Sequence, residues 1–127
     1  MPASIDDYFR NLLERVSDSG VVRSSDLDFD KRSTMLGLVR GQIYFIDGSL
    51  LHIRELIDLS KTPIRVMYVY HFQDPTGALI FRYDNTAHHP ELPGFPHHKH
   101  TKTDVTTVSG DPPDLNVVLA EVESYIR

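Results

Sequence analysis

The turns constrain this chain most. Asp47-Gly48-Ser49 and Asp74-Pro75-Thr76-Gly77 each interrupt a run of strand-forming residues. Connections this short join antiparallel neighbours. Residues 64–73, rich in β-branched and aromatic side chains, read as the clearest strand, and residues 79–84 return beside it. Residues 35–46 and 50–59 read as a second such pair, 21–30 as a polar-faced or edge strand, and 105–108 as a short addition. At both ends the apolar period changes to that of a helix. Ile5, Tyr8, Phe9, Leu12, Leu13 and Val16 form one stripe behind a capping pattern of Ser4 and Asp7. Leu115, Val118, Leu119, Val122 and Ile126 form another, with Asp111 as the expected cap and Pro112 and Pro113 as its first residues. The sequence thus predicts an α+β fold, an antiparallel meander of about five to six strands flanked by an N-terminal and a C-terminal helix. With 127 residues the chain is expected to be a single domain, 1–127.

Cysteine is absent, which removes disulfides, thiol catalysis and cysteine-bound metal sites. No apolar run reaches the ~20 residues that span a bilayer, and no basic-then-apolar start suggests secretion. A cytoplasmic protein with no membrane role is therefore expected. The formal net charge of -5 speaks against indiscriminate nucleic-acid binding. That charge is uneven, however. Residues 1–30 carry -4, residues 31–110 carry +2 and residues 111–127 carry -3, and all seven histidines fall between His52 and His100. An anionic ligand would be drawn to the middle, more so at mildly acidic pH, where histidine gains charge.

Strand registers put particular residues together. A turn at 74–77 predicts His71 opposite Ile80 and Val69 opposite Arg82. Tyr68, Tyr70, Phe72, Leu79, Phe81 and Tyr83 then share one face, and Arg65, Met67, Val69, His71, Ile80, Arg82 and Asp84 the other. His71 and Arg82 become diagonal neighbours, roughly 7–8 Å apart and within reach of one phosphate or carboxylate. In the preceding hairpin, Phe45 facing Leu51 carries Glu55 onto the apolar face opposite Gly41. Burial disfavours a charged carboxylate, so Glu55 is a candidate general base or the partner of an arginine such as Arg40 or Arg82.

The segment from Asn85 to about Asp104 holds Pro90, Pro93, Gly94 and Pro96, and reads as an ordered loop pinned by Leu92 and Phe95. It carries His88, His89, His97, His98 and His100, with Lys99 among them. Imidazoles so clustered suit a divalent transition metal, although no standard zinc spacing is matched. They equally suit acid/base chemistry at a phosphate, with Lys99 and Arg82 stabilising negative charge. The plain alternative is a set of surface histidines packed through their rings.

Several strings resemble the TumE toxin family: Asp47-Gly48-Ser49, Tyr68-x-Tyr70-His71-Phe72-Gln73, Phe81-Arg82-Tyr83-Asp84-Asn85, His88-His89-Pro90 and Phe95-Pro96-His97-His98-Lys99-His100. The resemblance is close over residues 41–100 and looser at the ends. It implies growth inhibition and a cytoplasmic antitoxin partner, TumA, which is similar to helix-turn-helix DNA-binding antitoxins. It brings no catalytic set, so the site is read from the residues themselves. The expected activity is ribonuclease-like cleavage of a phosphodiester in RNA or a nucleotide, independent of metal and of any cofactor. His71, His88, His97, His98 and His100 supply base and acid, Arg82 and Lys99 hold the phosphate, Asp84 and Asn85 orient, and Glu55 is a further base. A metal-dependent hydrolase using His88, His89, His97, His98 and His100 is the second expectation, and a non-enzymatic module that blocks a target by contact the third. Both enzymatic readings predict that His71, Arg82, Asp84 and at least two loop histidines converge on one concavity.

Overall fold

The computed structural model describes residues 2–85, 96–108 and 111–126. Helix α1 (Ile5–Asp18) starts at Ser4, whose hydroxyl accepts the Asp7 N–H at 3.2 Å, and buries Ile5, Phe9, Leu12 and Val16. Seven strands follow: β1 (Val22–Lys31), β2 (Leu36–Phe45), β3 (Leu50–Asp58), β4 (Arg65–Gln73), β5 (Leu79–Asp84), β6 (His98–Thr101) and β7 (Val105–Thr107). They pair in chain order in one antiparallel sheet, and helix α2 (Leu115–Tyr125) closes the described chain. The α+β meander between two helices is as expected, with more strands than expected. The addition is β6, inside the stretch read as loop. Beyond Pro96 no proline interrupts residues 97–101, so the backbone can join the ladder. Helix α2 is capped by Asp114, which accepts the Val117 N–H at 3.0 Å, rather than by Asp111. Pro112 and Pro113 precede the helix instead of opening it.

The sheet has an inner face, covered by both helices, and an open face, on which Asp84 and His98 are nonetheless buried. Val39, Ile43, Phe45, Leu51, Ile53, Ile57, Tyr68, Tyr70, Phe72 and Phe81 point inward and join the buried helix residues in one core. Gly37 lets α1 lie close. A β-carbon there would stand 2.5 Å from Ile5 Cγ1 and 2.7 Å from Phe9 Cζ.

Both hairpin registers differ from the expected ones by two residues. Phe45 N–H donates to the Ser49 carbonyl at 3.0 Å and Gly48 N–H to the Phe45 carbonyl at 3.0 Å, so Gly48, at φ 88°, ends a three-residue loop. Ile43 therefore faces Leu51, and Glu55 faces Val39 rather than Gly41. Gly41 instead faces Ile53 and Leu27, where a β-carbon would lie 2.0 Å from the Asp26 carbonyl oxygen. In the second hairpin Asp74 N–H donates to Ala78 at 2.8 Å, Gly77 sits at φ 90°, and an irregularity falls between Phe72 and Gln73. The result places His71 directly opposite Arg82, not diagonal to it. A slip of two keeps every side chain on its expected face. A slip of one does not, and the bulge between Leu56 and Ile57 supplies it. Arg65 pairs with Ile57 and joins the inner face instead of the open one.

Candidate functional site

The corrected registers align one row across the open face. Gln42 pairs with His52, His52 with His71, His71 with Arg82, and Arg82 with His100. Four strands thus present His52, His71, Arg82 and His100 as side-by-side neighbours. Burial lowers the titration of His71, helped by the positive charge of Arg82 and by His52. Burial, Arg82 and Arg54 lower His52 likewise. Both rings are consequently neutral in neutral water and able to accept a proton. Gln42 Nε2 lies 3.3 Å from His52 Nδ1.

One step along the sheet lies a tighter group. Asp84 pairs with His98 across β5 and β6, and both are 1% exposed. Asp84 Oδ1 is 2.7 Å from His98 Nε2, and Oδ2 accepts from Arg82 Nε at 2.9 Å. His100 Nε2 stands 3.6 Å from the same Oδ2. His98 and His100, two residues apart on β6, turn their rings together with centroids 4.6 Å apart. Asp84, His98 and His100 are the described residues whose donor atoms could hold a metal.

The other motif residues go elsewhere. Lys99 alternates to the inner face, where its ammonium donates to Glu121 of α2 at 2.9 Å and lies 4.9 Å from the Tyr83 ring centre. It is too far committed there to clamp a phosphate beside Arg82. His97 stacks on Tyr68, with Nδ1 2.9 Å from the Tyr68 hydroxyl, at a cleft of about 500 Å³ that Tyr8, Arg65 and Asp114 also line. Glu55 is 0% exposed and is joined to a residue of that cleft, Tyr8, by a hydrogen bond. Tyr8 donates to one of its oxygens and Tyr70 to the other at 2.6 Å, while Arg65 donates to the Tyr70 hydroxyl at 3.1 Å. Its partners are therefore tyrosines and not Arg40 or Arg82. Burial raises the Glu55 titration against the lowering pull of those two hydroxyls. His88 and His89 lie outside the described residues.

Of the residues expected to converge, His71, Arg82, Asp84, His98 and His100 share the open face and His97 does not; of the other candidates, Glu55 and Lys99 lie on the inner side. His52 and Arg65 were not singled out from the sequence. His52 could have been, since alternation already put it on the polar side of its strand. Arg65 could not, because a bulge leaves no mark in composition.

Among the described residues no helix is long and apolar enough to cross a membrane. No curated protein and no solved structure matches the chain. Residues 10–127 match the family described as Toxin TumE. The chain therefore belongs to the TumE toxin family, a membership that implies an antitoxin partner.

Proposed function

We propose that this toxin cleaves RNA at the open face of the sheet by metal-independent acid/base chemistry. The observation that carries the reading is the row in which Arg82 stands between His71 and His100 on three neighbouring strands. A phosphate laid on Arg82 would have an imidazole on either side. His71, kept neutral by burial and by Arg82, takes the proton of a ribose 2′-hydroxyl. The 2′-oxygen attacks phosphorus, the bond to the 5′-oxygen breaks, and His100 gives that oxygen a proton. The products are a 2′,3′-cyclic phosphate and a 5′-hydroxyl. Arg82 is fixed for this by its bond to Asp84, which leaves the remaining guanidinium nitrogens for phosphate oxygens. The cytoplasm is then the place of action, and the antitoxin is a helix-turn-helix protein whose acidic or apolar segment covers the same face.

The test is incubation of the purified chain with total RNA, with and without EDTA, beside His71→Ala and Arg82→Ala. The expected result is cleavage that EDTA leaves intact and that each substitution lowers at least a hundredfold. Cleavage lost to EDTA would replace this reading with the metal-dependent one. No turnover of any RNA would leave the non-enzymatic module.

A further inference from the structure

We infer that Asp84, His98 and His100 hold a divalent transition metal, and that its binding withdraws His100 from cleavage and switches the toxin off. The second half rests on the acid/base reading above; the first does not. One oxygen of Asp84 and one nitrogen from each ring lie within 4.8 Å of one another. Four-coordinate zinc, at about 2.0–2.2 Å from each ligand, sets its ligand atoms roughly 3.4 Å apart, so the group brackets the required size. Two imidazoles and one carboxylate are a borderline donor set. It suits Zn²⁺, Co²⁺ or Ni²⁺ better than Mg²⁺ or Ca²⁺.

The hydrogen bonds around the group point the same way. His98 Nδ1 lies 2.8 Å from the Pro96 carbonyl oxygen, an atom that can only accept, so Nδ1 carries the proton. The other nitrogen, Nε2, stands 2.7 Å from Asp84 Oδ1. A nitrogen and a carboxylate oxygen at that distance share a cation, a proton or, when one is bound, a metal ion. A backbone carbonyl holding the far nitrogen is the usual support of a metal-binding histidine. Arg82 supports the carboxylate in the same manner, from Oδ2 at 2.9 Å. The frame is rigid, since Asp84 and His98 are cross-strand partners and His100 lies on the same face of β6. His100 acts as an acid only as an imidazolium, with both nitrogens protonated, and a metal on Nε2 excludes that form. Metal occupancy and proton donation by His100 therefore exclude each other.

The test begins with chain stripped by chelator and titrated with Co²⁺ alone, then with Zn²⁺. The expected result is one equivalent of Co²⁺ with the visible bands of a four-coordinate ion, displaced by Zn²⁺, and a higher thermal midpoint with Zn²⁺ bound. His98→Gln and, as the less buried second variant, His100→Gln should each weaken binding at least tenfold, with far-ultraviolet dichroism reporting that each is folded. Zn²⁺ at one equivalent should lower RNA cleavage by the unsubstituted chain at least tenfold, and EDTA should restore it. No binding of either ion would overturn the site and leave the cleavage reading standing. Binding unchanged in both folded variants would place the metal on other residues and overturn the assignment. Binding with cleavage unchanged or increased would overturn the switch. If the chain cleaves no RNA at all, the function proposed above fails, and the switch with it, while the Co²⁺ titration still decides the site.

Discussion

Replacing Tyr70 with Phe should destabilise the chain in a way that grows with pH. Glu55 is fully buried and accepts from two phenols, Tyr8 and Tyr70. Tyr70→Phe removes one of them and also the acceptor of Arg65 Nη1. Leaving a buried acceptor short of a donor costs about 1–3 kcal/mol, more when it is charged, so a loss of about 2–3 kcal/mol is expected at pH 8. For a domain of this size that corresponds to a melting midpoint lower by roughly 10 °C. The pH dependence follows from the direction of the Glu55 shift. Its titration is raised above the ordinary value of 4.5, so the folded chain holds the proton to higher pH than the unfolded chain does. Stability therefore falls as pH rises through that window, and it falls further in Tyr70→Phe, where the carboxylate has one donor fewer. Urea unfolding followed by circular dichroism at pH 5 and pH 8 measures this, with Glu55→Gln as the reference that has no charge to lose. A Tyr70→Phe penalty below about 0.5 kcal/mol, or equal at the two pH values, would refute the view that Glu55 is a buried carboxylate held by tyrosines.

His52 and His71 both titrate below the ordinary value of 6.5 in the folded chain, so the unfolded chain takes up protons first. Stability should thus drop as pH falls through that value, and His52→Gln should flatten the slope in the same unfolding assay. Lys99→Ala removes a partly exposed ion pair with Glu121 and should cost about 0.5–1 kcal/mol in stability. The cleavage rate of that variant should fall less than threefold, because Lys99 faces away from Arg82; a large loss would return Lys99 to the site. Gly41→Ala forces a β-carbon to 2.0 Å from the Asp26 carbonyl at a positive φ. A loss on the order of 3 kcal/mol is expected by thermal melting, and none would mean β1 can move aside.

Alternation along each strand made the two faces legible, and the faces survive register errors of two residues. That is why Glu55 was placed correctly in the apolar layer while its partners were not. Its partners depend on where a loop closes: the loop ending at Gly48 closes two residues tighter than expected, and the one ending at Gly77 closes wider, beside the irregularity between Phe72 and Gln73. The same cause turned His71 and Arg82 from diagonal into direct neighbours. Arg65 shows a harder limit, since a register shift between Leu56 and Ile57 inverts it and alternation alone does not reveal such a shift. Helix α1 was readable to its cap because Ser4 and the apolar stripe are local signals. The two aspartates and two prolines before α2 left the cap ambiguous, and Asp114 took it because it directly precedes the first helical residue. β6 was hidden because the prolines upstream of it marked the whole stretch as loop. Its pairing with β5 is nonetheless what separates His98 and His100 from His97 and Lys99 and sends them to opposite faces.

The claim that His71, Arg82 and His100 act together on a ribose 2′-hydroxyl is tested most directly by the ends of the RNA fragments. Cleavage of a short RNA by the purified chain in the presence of EDTA should leave a 2′,3′-cyclic phosphate and a 5′-hydroxyl, and a single 2′-deoxy substitution at the cleaved position should stop it. Fragments ending in a 5′-phosphate, or cleavage that continues at the 2′-deoxy position, would contradict the account, because attack would then come from water and not from the ribose.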